Sequence, residues 1–126
     1  MLVPRSLRYR LSPGDRLYVL GGYEEPPAWL GGKDRVVGTV RRADEGGLAV
    51  VELDAELAVT LARDDGELRA TGRYLLLSPR FRQRWWQPGW SRVVHVELHE
   101  PEPDLKDLGS GAWIESHAHY RILPRS

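Results

Sequence analysis

The stretch Leu57-Ala58-Val59-Thr60-Leu61-Ala62-Arg63-Asp64-Asp65-Gly66-Glu67-Leu68-Arg69-Ala70 decides the fold class. Leu57, Val59 and Leu61 alternate with Ala58 and Thr60, the period of a strand with one buried face. Asp64-Asp65-Gly66 then supplies turn chemistry before Leu68 and Ala70 resume the alternation, so the segment reads as a β-hairpin. A rival reading exists. Residues 54–63 are rich in Ala and Leu, and a helix capped by Asp54 would place Leu53, Leu57 and Leu61 at i, i+4 and i+8. The strand is preferred because the turn serves a hairpin directly, and one short helix near 54–63 is kept as the alternative.

Outward from this hairpin the pattern repeats. Ser12-Pro13-Gly14-Asp15 is a turn that launches a strand over 16–20, with Leu17 and Val19 alternating with Arg16 and Tyr18. A loop bounded by Gly21-Gly22 and Gly31-Gly32 holds Pro26-Pro27 and excludes a strand or helix interior. Residues 35–42 form a second strand, in which Gly38 marks a bulge or a close backbone approach. Glu45-Gly46-Gly47 turns into 48–53; 74–77 is a continuous apolar strand; 92–99 and 112–123 are the last two, joined by an acidic loop over 100–111. The expectation is an all-β chain: a single antiparallel small barrel or rolled sheet of about seven strands, occupying 1–126 as one domain. Residues 1–6 read like the remnant of a protease-cleavage tag, without the Gly that usually follows the Arg, and are set aside.

Composition bounds the rest. The 126 residues include no Cys, 41% are hydrophobic and 29% charged, which suits one globular domain needing neither disulfides nor a structural metal. No apolar run approaches the roughly 20 residues of a membrane span, and no signal-peptide core is seen at the N-terminus, so a cytoplasmic location with no membrane partner is expected. Sixteen of the 18 basic residues are Arg, Asn is absent and Ile occurs twice, the usage of a GC-rich genome with a thermophilic lean.

The zero net charge hides segregation. Residues 68–96 carry six basic and no acidic side chains, between a segment of net −7 (43–67) and one of net −4 (97–107). Within it Arg80, Arg82 and Arg84 interleave with Phe81, Trp85, Trp86 and Trp90, a combination that can hold phosphates on guanidinium groups and stack bases on indoles. The competing reading places the tryptophans in the core and pairs the arginines with acidic neighbours. The segregation also predicts that 68–96 packs beside 43–67.

All four histidines fall in the last two strands. Parity puts His95, Glu97 and His99 on the face opposite Val94, Val96 and Leu98, and puts Glu115, His117, His119 and Arg121 opposite Ile114, Ala118 and Ile122. If the strands are neighbours without a bulge, His95, Glu97, His99, His117 and His119 form a candidate set for a zinc-like divalent metal. A polar, solvated sheet face gives the same pattern with no metal. The His-x-His spacing resembles the cupin metal motif, whose glycines and Glu spacing are missing here. Nucleophilic catalysis finds no support: Ser116 and His117 are adjacent in a strand and point to opposite faces, and the paired glycines lack the features of a phosphate loop. The Pro-rich loop offers Tyr23 and Trp29 as a contact surface, or tucks Trp29 onto the core.

Residues 12–20 followed by Val36-Val37-Gly38-Thr39-Val40 resemble the opening of small Src-homology-type barrels, including the KOW group and the barrel of the nitrile hydratase beta subunit. The resemblance covers 12–55. It implies a twisted five-stranded barrel that receives ligands on variable loops, with the remaining strands an elaboration. No site carries over, because the hydratase's catalytic residues lie in its other subunit. The resulting expectation is a non-enzymatic β-barrel binding module with no cofactor and with a protein or peptide partner, self-association included. The alternatives are a small metal-dependent enzyme using the histidine face and a single-stranded nucleic-acid binder using the Arg/Trp segment.

Overall fold

The computed structural model describes residues 11–21, 28–30, 33–44, 47–79 and 92–124, with backbone alone at 28, 61–63, 92–93 and 113–116. Six strands close into an antiparallel barrel in chain order: β1 Arg16–Leu20, β2 Arg35–Ala43, β3 Ala49–Arg63, β4 Gly66–Pro79, β5 Arg92–His99 and β6 Ala112–Ile122. β6 returns to β1 through Leu17 opposite Ile122 and Leu20 opposite His119, so the barrel has no open edge along its wall.

Each joint follows from local chemistry. Before β1, Asp15 accepts the Ser12 amide on Oδ2 at 2.8 Å, and Gly14 takes φ 91° to direct its N–H onto the Val40 carbonyl. Gly38 is a close approach: a Cβ there would lie 2.6 Å from the Glu52 carbonyl oxygen, so only a bare α-carbon lets β2 meet β3. The irregularity in that pair falls two residues later, between Val40 and Arg42. Asp44 closes the β2–β3 turn by accepting the Leu48 amide at 2.9 Å.

Residues 54–63 are strand, and the helical alternative is overturned. The expected count of about seven becomes six, because 48–53 and 57–61 are parts of one strand, β3, and 68–70 and 74–77 are parts of another, β4. The break that alternation suggested is a bulge: Glu52 faces Tyr74 and Leu57 faces Gly72, leaving 53–56 opposite Arg73 alone. Arg73 holds this bulge together, its guanidinium donating to the carbonyls of Leu53 (3.1 Å) and Asp54 (3.2 Å). The stretch 68–77 of the basic segment, with Arg69 and Arg73, thus runs along the acidic strand, whereas Arg80, Arg82 and Arg84 lie outside the described residues.

The interior is filled. Leu17, Val19, Val40, Leu53, Leu75, Leu77, Val96 and Ile122 are essentially inaccessible and form one cluster with Trp29, Leu30, Ala118 and Tyr120. Alternation with Arg16, Tyr18, Thr39 and Arg121 leaves the polar residues on the outer wall. Among the described residues no helix is long and apolar enough to cross a membrane.

Candidate functional site

Two places on the outer wall collect chemistry-bearing side chains, and the sheet register explains both. The first lies under residues 100–111. Val50, Leu76 and Glu97 stand side by side across β3, β4 and β5, all inaccessible although their side chains are on the wall opposite the filled interior. The 100–111 segment reaches this patch at Glu97. It is anchored at one end by Glu102, whose carboxylate receives Arg41 at 3.1 Å and Arg42 at 3.3 Å. In the middle a 3-10 turn, Leu105–Asp107, is closed by a capping box: the Leu105 amide donates to Asp104, and the Asp104 amide donates back to Asp107. At the far end the Gly109 amide donates to both Glu97 carboxyl oxygens, at 2.8 and 3.1 Å.

His99, two residues from Glu97 on the same face, lies with Nε2 3.2 Å from Glu97 Oε1. Its ring packs against Gly111, where a Cβ would come within 2.4 Å of Nε2. Glu97 is therefore a buried acceptor shared by two donors, one from the strap and one from the neighbouring imidazole. A carboxyl and an imidazole in contact are the parts of a proton relay, yet both here are enclosed by the strap and directed at it. Their geometry does structural work: it fastens 100–111 to the barrel.

The register divides the histidine set. Two bulges interrupt β5–β6 pairing, and Val94 opposite Ala118 followed by Val96 opposite Glu115 leaves Ser116 and His117 facing His95. His119 faces Val93, six residues from His99, which is about 20 Å of strand. His95 and His117 are neighbours, His119 is one step further, and Glu97 with His99 belongs to the strap. Among the described residues no three His, Asp or Glu side chains come together as a metal would require.

The second place is the face of β6, β1 and β2. Tyr18 sits between Arg121 on β6 and Val37 on β2, with the Arg35 guanidinium carbon 4.8 Å from its ring centroid and that of Arg121 5.8 Å away. His119 and Leu20 lie beside it. Below it Arg16 makes a two-pronged ion pair with Asp54 at 2.7 Å per contact, which holds the Asp54 carboxyl below its ordinary range and raises Arg16. The Arg41 guanidinium is likewise raised by its hydrogen bond to Glu102.

Of the other sequence candidates, Trp29 is 2% exposed, so its ring belongs to the core, and its Nε1 finds no acceptor among the described residues. Tyr23, Arg80, Arg82, Arg84, Trp85, Trp86 and Trp90 lie outside the described residues. Sequence reasoning missed the strap, although Asp104 and Asp107 at capping-box spacing followed by Gly109 and Gly111 signal an ordered turn. It also missed the role of Tyr18, whose alternation with Leu17 and Val19 placed it outward without showing which arginines would reach it. Comparison with protein-family models, curated proteins and solved structures finds no match for this chain.

Proposed function

We propose that the protein is a non-enzymatic β-barrel binding module that receives an acidic peptide or protein segment on the outer face of β6, β1 and β2. The observation that carries this reading is Tyr18 flanked by Arg35 and Arg121 on the wall of a barrel whose interior is filled by its own side chains. A partner then has to be met from outside, and guanidinium groups beside an aromatic ring offer an anion both charge and a flat apolar surface. The resemblance of 12–55 to small Src-homology-type barrels points the same way, toward recognition on the exterior.

A second reading rests on the same groups, since phosphates and bases also suit arginine beside tyrosine; it makes the partner a single-stranded nucleic acid. Titrating the labelled protein with an oligoglutamate peptide and, separately, with oligothymidylate at about 50 mM salt separates the two, because backbone phosphate attraction is strong there. Peptide-induced shifts centred on Tyr18, Arg35, His119 and Arg121, lost in Tyr18→Ala, are expected. Shifts with oligothymidylate alone would favour the second reading, and no shift with either ligand would remove both.

A further inference from the structure

The register of β6, β1 and β2 sets six outward positions on a grid. Arg121, Tyr18 and Val37 stand across the three strands on one step, and His119, Leu20 and Arg35 on the next. The two arginines occupy opposite corners and are exposed, whereas Tyr18, Leu20 and Val37 are half-buried. A line from Arg121 to Arg35 crosses β1 midway between Tyr18 and Leu20. The centre of this face is therefore apolar, and two of its far corners are cationic.

Both guanidiniums lean toward that centre, since their carbons lie 4.8 Å (Arg35) and 5.8 Å (Arg121) from the Tyr18 ring centroid. Contact with the ring holds the two long side chains before a partner arrives, which lowers the ordering cost of binding. Neighbouring charges matter less. Arg16, on the step beyond Tyr18, is already joined to Asp54 by two contacts of 2.7 Å. Arg35 has a competitor in Asp34, whose carboxylate lies 3.7 Å from its Nε. That side chain is 84% exposed and the contact is too long for a hydrogen bond, so a partner's carboxylate can replace it.

Resting on the reading of this face as a surface for acidic peptides, we propose that its partner is an extended segment with two acidic residues four apart and an apolar residue midway. Spacing and polarity both lead there. Two strand steps across and two residues along separate the α-carbons of Arg121 and Arg35 by about 12 Å. An extended chain advances about 3.3 Å per residue, so positions i and i+4 lie about 13 Å apart, and i, i+2 and i+4 point to one side. The outer pair of carboxylates meets the two guanidiniums, and the middle side chain settles on Tyr18, Leu20 and Val37. A run of acidic residues alone sets charge against the apolar centre, and a wholly apolar segment gains nothing from the arginines.

Three blocked peptides of equal charge test this by amide-shift titration of the whole protein at about 50 mM salt, where surface charges are weakly screened: Glu-Ser-Leu-Ser-Glu, Glu-Ser-Ser-Ser-Glu and Glu-Glu-Leu-Ser-Ser. The first is expected to bind about tenfold tighter than the second, from partial burial of one leucine side chain. It also binds several-fold tighter than the third, whose adjacent carboxylates do not span both corners. Leu20→Ser narrows the first-to-second gap to about twofold and leaves binding of the second peptide unchanged; Val37→Ser takes its place if that variant fails to fold. Equal affinity for the first peptide and either of the others, or a gap that neither variant narrows, overturns the proposal. If none of the three binds while oligoglutamate does, the proposal falls alone; if oligoglutamate fails as well, the reading beneath it falls too.

Discussion

Glu97→Ala tests the strap directly. The wild-type carboxyl is 0% exposed and accepts from the Gly109 amide and from His99 Nε2, while neighbouring Leu76 and Val50 are equally inaccessible. Truncation strands two donors at once. An unsatisfied buried donor costs roughly 1 to 3 kcal/mol, and relaxation of the exposed Gly109 backbone toward water recovers part of this, so a loss of about 2 to 4 kcal/mol is expected. For a chain of this size that is roughly 8 to 16 °C in melting temperature. Glu97→Gln retains one acceptor oxygen and lets the amide nitrogen donate to the other imidazole tautomer, so it costs about 1 kcal/mol. Differential scanning calorimetry gives the stability, and hydrogen exchange at Gly109, Ser110 and Gly111 shows where it is lost. If Glu97→Ala melts within about 2 °C of wild type and Gly109 exchanges no faster, the carboxyl does not anchor the strap and the reasoning fails.

Gly111→Ala forces a methyl to within 2.4 Å of the His99 imidazole, so the ring must turn from Glu97; a fall in melting temperature with a displaced His99 resonance is expected, and an unchanged His99 signal would count against the packing described. Arg73→Met removes the donors to the Leu53 and Asp54 carbonyls and should cost about 1 to 2 kcal/mol, seen as faster proteolysis within 53–56. Asp54→Asn removes the partner of Arg16. Because the Asp54 carboxyl is lowered in the fold, its contribution is complete above the unfolded value near 4 and is lost as pH falls through the folded value. Wild type should thus exceed the variant by a constant ~0 to 1 kcal/mol from about pH 5 to 8, with the gap closing as the pH falls below the unfolded value and through the folded one; a gap that widens in acid would contradict the ion pair.

The elements most legible in the sequence were those governed by near neighbours. The hairpin around Asp64-Asp65 declared itself because turn chemistry and period-two alternation act over a few residues, and the structure pairs Arg63 with Gly66 as that pattern requires. Gly38 signalled a bulge or a close approach, and only the neighbouring strand, whose Glu52 carbonyl would lie 2.6 Å from a Cβ there, decided for the close approach. The bulge at 53–56 looked like a strand boundary. Its continuity depends on Arg73, some twenty residues away in the chain, reaching the orphaned carbonyls, and alternation carries no record of that reach.

The candidate sites divide in the same way. Parity alone separated Glu97 and His99 from the interior, since successive strand residues point to opposite faces. Whether that outer face met water was decided by the 100–111 strap, which the Glu102 ion pairs with Arg41 and Arg42 and the Glu97 hydrogen bond to Gly109 hold across three strands. Likewise the sequence placed Tyr18 and Arg121 opposite the apolar positions of their strands and Arg35 at the start of a third. Only closure of the barrel, which joins β6 to β1, set both guanidiniums beside one ring. Local sterics and hydrogen bonding determined the strands, turns and faces from sequence alone; pairing between distant strands, which depends on which segments close the sheet, decided which residues became neighbours.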